Sequence, residues 1–342
     1  MTNSFAPAGT VTGIGALPVS EPSHAVSFIA EHSPELPFTP RLCGSRNSVQ
    51  HLAMEALGGL VDLLQTRGPD RPGFHVPEGR MGECLAWLNN PSTPPNNSCN
   101  TGLAAFEQAL DQRSFPHARA IKGHIIGPMS LAMGLFRGQG RGRSFANHAW
   151  LRQSISGYVA NVARWRVQRL RRFNLPVLMF VHEPALALSD QASDGVFFEA
   201  VTQMLDSTLT AIAREGGRSA LHGGGTSSWR VLPQARPDIL TMPIDEHLSG
   251  CLREHAIKRF LEDGGGFAFA TNPNLLSQPK GEQEQFNCWL GSVAQSHDIQ
   301  QMARHSFITV DQHEHVDDVN SLVEQFSAAN RLAALLRRIA IN

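Results

Sequence analysis

Short apolar runs, each closed by glycine, proline or a polar cluster, alternate along most of this chain with longer segments of helical period. Val11 to Leu17 is the first such run, and AIKGHII at 120–126 is another, stopped by Gly127 and Pro128 before SLAMGLF opens a helix. From Phe145 to Phe173, residues Trp150, Ile155, Val159, Val162, Trp165 and Leu170 recur at three- to five-residue steps, which predicts one long helix. Its other face carries Arg152, Arg164, Arg166, Arg169, Arg171 and Arg172. We read that face as solvated, its cations suiting the C-terminal end of the helix dipole.

Pro176 admits a strand, VLMFV, ending at His182-Glu183-Pro184, and a helix follows from Gly195 to Gly216. Ser219 to Leu221 then runs into His222-Gly223-Gly224-Gly225, and DILTMPI ends at Asp245-Glu246-His247. A helix over His255 to Asp263 leads through three glycines to the strand FAFAT. The last strand, SFITV, ends at Asp311-Gln312-His313-Glu314-His315, with a final helix from Val316 to Ile339. Strands and helices thus alternate from Ala120 onward, and such alternation predicts a parallel α/β sheet. Residues 34–118 show no comparable pattern, and NNPSTPPNNSCN at 89–100 reads as a loop or insertion within a single domain spanning 1–342. An open doubly wound sheet is disfavoured because GIGALP at 13–18 lacks the third glycine of a phosphate-binding turn and places Pro18 where its helix would start.

Composition narrows the chemistry. The chain has 342 residues, 42% hydrophobic and 17% charged, enough to bury a large core. With 29 basic and 30 acidic side chains its formal charge is -1, which offers no electrostatic footprint for nucleic acid or an anionic membrane. The N-terminus has no basic start before an apolar stretch, and no run reaches membrane-spanning length, so a cytoplasmic location is expected. Cys43, Cys84, Cys99, Cys251 and Cys288 form no C-x-x-C and are expected to be free thiols. Fifteen histidines is a high count, and several stand where strands end.

Four segments in order carry a family resemblance: GIGALP at 13–18, IKGHIIGPMSLA at 121–132, FVHEPAL at 180–186 and LHGGGTSSW at 221–229. Together they resemble the catalytic barrel of cobalamin-independent methionine synthase and its short relatives, in the superfamily shared with uroporphyrinogen decarboxylase. The resemblance implies a (β/α)8 TIM barrel with its site at the C-terminal strand ends. It also implies methyl transfer from a folate or corrinoid donor to a small acceptor, with a corrinoid protein as a candidate partner. In that family a zinc ion held by histidine, cysteine and glutamate activates a thiol. Here His222 matches the histidine, but Gly224 and Gln312 stand at the cysteine positions and Pro243 falls nearest the glutamate, with Asp245 and Glu246 just beyond. His182 replaces the family's aspartate and Ala16 its serine, so homocysteine bound in the usual way is not expected.

Two readings of the strand-end histidines stay open. In one, His222, His313 and His315 rebuild a site for zinc or another divalent metal. In the other, which we take as the default, they are metal-free polar groups bonded to backbone or substrate. Glu183, at the end of a buried strand, is the foremost carboxylate for acid–base work, and with His222 makes the expected catalytic pair. His182, Asp245, Glu246, Gly223 and Gly224 are the expected substrate contacts, the glycines opening space and exposing backbone N–H groups. Lys122 is read as structural, Gly123 and Gly127 as packing and turn positions, and Trp229, Met242 and Phe269 as core. The rival functions are a metal-free lyase of the uroporphyrinogen decarboxylase kind, using Arg41 and Arg46 to hold substrate carboxylates, and a barrel that binds without catalysing.

Overall fold

The computed structural model describes residues 7–42, 48–66, 73–90, 100–138, 143–191, 195–223, 229, 232–310 and 318–341. The apolar runs become seven parallel strands: β1 (Val11–Gly13), β2 (Ile121–Ile126), β3 (Val177–Glu183), β4 (Arg218–Gly223), β5 (Ile239–Pro243), β6 (Gly266–Ala270) and β7 (Ser306–Val310). Their order in the sheet is β1-β7-β6-β5-β4-β3-β2, so the two edges come from the beginning of the chain and from its middle. The segment 37–42 bridges those edges. Lys122 N donates to Pro37 O (2.9 Å), Thr39 N to Lys122 O (2.9 Å) and Arg41 N to Gly15 O (2.7 Å), and Arg41–Leu42 pairs in parallel with Ala16–Leu17. The result is a near-closed parallel barrel. Pro37 and Pro40 deprive the bridging segment of ladder donors, which accounts for its irregularity.

Strands buried on both faces read as continuous apolar runs, as VLMFV does, whereas IKGHII sets Lys122 and His124 among its buried positions. One face looks into the bore. There Leu178, Phe180, Ala220, Ile239, Ala268 and Phe307 pack together, with Leu36 and Ala120, as an apolar floor separate from the main core. The other face meets the surrounding helices, including Ala149–Arg171, Gly195–Arg214 and Val319–Ile341. Trp229, Met242 and Phe269 belong to that outer core, as their spacing suggests. Gly123 is a packing position too: a Cβ there would come within 2.6 Å of Met179. A small sheet of Gln65–Thr66, Phe74–Val76 and Leu135–Arg137 flanks the barrel.

The arginine face of Ala149–Arg171 is the solvated surface its pattern predicts only at its end, where Arg171 and Arg172 are exposed. Arg166 is buried and donates to His124 O (2.7 Å), Glu55 Oε2 (3.0 Å) and Asn100 Oδ1 (2.6 Å), while Arg169 pairs with Glu107. Glu55 and Glu107 belong to helices Ser48–Leu57 and Thr101–Asp111, and Asn100 stands at the start of the latter. Elements from the unreadable stretch therefore dock on this helix through charge. Residues 91–99 of the predicted loop at 89–100 lie outside the described residues. Among the described residues no helix is long and apolar enough to cross a membrane.

Candidate functional site

Strand register assembles the site. Phe180 pairs with Ala220 in the bore floor, so one step of two residues upward places His182 opposite His222 on the same inward face. Their ring centroids are 4.8 Å apart. His124, the register partner of Phe180 on β2, adds a third imidazole 6.0 Å from His182. His124 and His182 are buried and His222 half-buried. Burial, followed by the neighbouring His222, Arg41, Lys122 and His124, holds the His182 pKa well below the usual histidine range, so its ring is neutral. His182 Nε2 has no hydrogen-bond partner among the described residues.

Lys122 lies in the same bore, fully buried, donating to Gly13 O and standing 4.2 Å over the Phe180 ring. It is thus a bore residue held by backbone and an aromatic face, in keeping with a structural role. His124 is held from two sides. Its Nδ1 is 3.1 Å from Thr39 Oγ1 and its Nε2 is 3.4 Å from Glu55 Oε2. Burial dominates and depresses its pKa to about 3, although Glu55 pulls the other way. Burial would raise Glu55, but Arg166, the hydrogen bond with His124 and the charges of His124 and Arg41 together bring it down to about 2. Gly15, at φ +116°, leaves the room this imidazole needs, since a Cβ would come within 2.7 Å of its Nδ1.

Glu183 ends β3 with its carboxylate turned onto the start of helix Pro128–Gly134. Oε1 accepts from Met129 N (2.9 Å), and Oε2 accepts from Ser130 N (2.8 Å) and Ser130 Oγ (2.5 Å). Burial pushes its pKa up to about 7 against these three donors. Ser130 Oγ also accepts from Ala185 N (3.0 Å), so strand end, helix start and following turn are tied together. Sequence reasoning did not find Thr39, Glu55, Asn100 or Ser130. The nearest signal was a lone glutamate in the apolar helical run HLAMEAL.

Other predicted contacts are not brought to this cluster. Glu246 and His247 follow β5 but face solvent, and Asp245 accepts from His247 N (2.9 Å) as a local turn cap. Gly223 does not open space: a Cβ would meet Leu186 at 3.0 Å and Leu232 at 3.3 Å. Gly224, Gln312, His313, His315 and Arg46 lie outside the described residues. A thiolate zinc does not fit the residues that are described. Cys84, Cys251 and Cys288 are free, sit on outer helices and have pKa values raised by burial, and no three histidine, cysteine or acidic side chains among the described residues converge to hold a metal. On the opposite face, before β6 and β7 begin, a cleft of about 320 Å³ is lined by Lys258, Glu262, His297, Asp298, Gln301 and His305.

No family model and no curated protein matches the chain. Among solved structures, a D-psicose 3-epimerase in the presence of D-fructose is similar at TM-score 0.38 and 7% identity, over 78% of this chain and 89% of that one. The tandem GH20 catalytic modules of a pneumococcal exo-β-D-N-acetylglucosaminidase give TM-score 0.43 and 7% identity, over 95% of this chain and 85% of that one. The barrel itself rests on the strand order and register above. Such a barrel houses active sites at the C-terminal strand ends.

Proposed function

We propose that this chain is a barrel enzyme of the methionine-synthase-like group, moving a methyl group from a folate or corrinoid donor to a small acceptor other than conventionally bound homocysteine. The observation that carries this reading is His182, a neutral buried imidazole with an unpartnered Nε2, set beside His222 at the strand ends. A buried polar atom left unmet costs about 1–3 kcal/mol, and a substrate group placed against it removes that cost. In the transfer, the acceptor–carbon bond forms as the carbon–donor bond breaks, with the electron pair leaving on the donor. The acceptor's proton passes by way of the neutral imidazole to the departing donor, so His182 is left uncharged. Glu183 positions His182 by fixing the end of β3 to the helix start. Labelled methyl-tetrahydrofolate and methylcobalamin, offered with thiol, amine and hydroxyl acceptors, test the reading. Wild-type transfer that collapses in His222→Ala supports it, whereas unchanged activity and metal content in that variant sink it.

A second reading, the metal-free lyase, is favoured by Arg41. It is buried, and its positive charge acts on His182, His124 and Glu55. Binding of a polycarboxylate lost in Arg41→Met, with no methyl transfer by the wild type, would favour that reaction.

A further inference from the structure

No hydrogen bond to Nε2 fixes the His182 ring among the described residues, so its orientation depends on the rings around it. Three of them form a cradle. His222 stands beside it at its own level on β4, with centroids 4.8 Å apart. One level lower lie Phe180 of its own strand, at 6.4 Å, and His124 of β2, at 6.0 Å. The planes of His124 and His182 meet at 82°, so the edge of one ring faces the other, an arrangement that aromatic pairs prefer. Of the two lower rings, Phe180 is packed into the apolar floor, whereas His124 is engaged at both of its nitrogens by residues from outside the seven strands.

Thr39 belongs to the segment that bridges the edges of the barrel, and its Oγ1 is 3.1 Å from Nδ1 of His124. Glu55 belongs to helix Ser48–Leu57, and its Oε2 is 3.4 Å from Nε2. Against burial, Arg166 and its neighbours keep the Glu55 carboxylate ionised. A carboxylate beside Nε2 selects the tautomer that carries its proton there, which leaves Nδ1 to accept from the Thr39 hydroxyl. Gly15 closes a further side of the ring, since a Cβ there would lie 2.7 Å from Nδ1. Tautomer and ring plane are thereby fixed together. Stability alone does not call for this arrangement, because apolar side chains filling the volume of a buried ion pair are often as stable or more so. We infer that His124 is a positioning residue for His182: Thr39 and Glu55 hold its ring, and that ring holds His182 in the orientation the transfer needs. This deepens the proposed function and rests on the role it gives to His182.

Thr39→Val keeps the shape of the side chain and removes the hydroxyl, and its effect on His182 is read in two ways. The first is magnetic resonance of full-length protein carrying isotope-labelled histidine, with signals assigned by their loss in His124→Leu and His182→Ala. The wild-type nitrogen shifts of His124 should show the proton on Nε2, and Thr39→Val should move the ring signals of both His124 and His182. The second is the split between kcat and KM for methyl transfer. Displacing a reacting group by 1 Å costs up to about 100-fold in rate, and the smaller tilt expected in Thr39→Val should lower kcat by about 10-fold at unchanged KM. His124→Leu, which removes the ring itself, should lower kcat at least as much. A proton on Nδ1 of His124, His182 signals unmoved in Thr39→Val, or a wild-type kcat in that variant overturns the inference. His182 signals that move while the wild type transfers no methyl group remove the proposed reaction and leave the positioning standing.

Discussion

The Glu183 carboxylate occupies the space that a side chain on Gly127 would need: a Cβ there would come within 2.1 Å of Glu183 Cδ and 2.3 Å of Oε1. Glycine at 127 therefore lets a strand-end carboxylate on β3 reach the N–H groups that open the helix Pro128–Gly134. Gly127→Ala is expected to destabilise the fold by about 1–3 kcal/mol, the usual cost of overpacking a filled interior. Urea unfolding should show a lower midpoint at unchanged slope. An unaltered midpoint would mean that the carboxylate does not depend on this contact.

Arg166 is predicted to matter far more than an outer-face arginine. Its guanidinium joins the His124 carbonyl, Glu55 and Asn100 in one buried set. Removing one partner of a buried ion pair strands the other charge, so Arg166→Met should cost about 3–5 kcal/mol. By contrast Arg172→Met, at the end of the same helix, loses an exposed ion pair with Asp111 (3.5 Å) and should cost about 1 kcal/mol or less. Denaturant midpoints for the two variants measured together check the difference.

Acid should unfold this protein in a window set by His124. Burial keeps it neutral in the fold down to about pH 3, whereas its ordinary value is 6.5. Between those limits the unfolded chain binds the extra proton, so stability falls as pH falls through them. Glu55, held at about 2 against an ordinary 4.5, extends the loss below pH 4.5. Glu183 works in the opposite direction: raised to about 7, it favours the folded state when protonated, and that contribution fades as pH rises from 4.5 to 7. His124→Gln should flatten the decline between pH 6.5 and 4.5, read as unfolding midpoints at several pH values. Parallel slopes in wild type and variant would contradict the assignment.

How much was legible in the sequence depended on whether the relevant partners were local. β3 could be read directly, because VLMFV is apolar on both faces and Pro184 stops it, and its register neighbour β4 followed from Ser219 to His222. Hence the approach of His182 to His222 was within reach of strand counting. Residues 37–42 were not, since two prolines leave too few ladder bonds to make an alternating pattern. Arg166 was misread because helical periodicity assigns only the face, while what buries it is Glu55, 111 residues away in sequence. The engagement of Glu183 by Met129 and Ser130 was hidden for the same reason: a motif shows the carboxylate, and only the adjacent strand shows which donors it meets.

The central claim is that this barrel works at the C-terminal strand ends around His182. It is tested most directly by kcat/KM for methyl transfer in His182→Ala compared with Gln301→Ala, which alters the cleft on the opposite face. The account predicts a loss of about 100-fold or more in His182→Ala, the scale of a missing acid–base group, with Gln301→Ala at the wild-type rate. A wild-type rate in His182→Ala, or a comparable loss in Gln301→Ala, would contradict it.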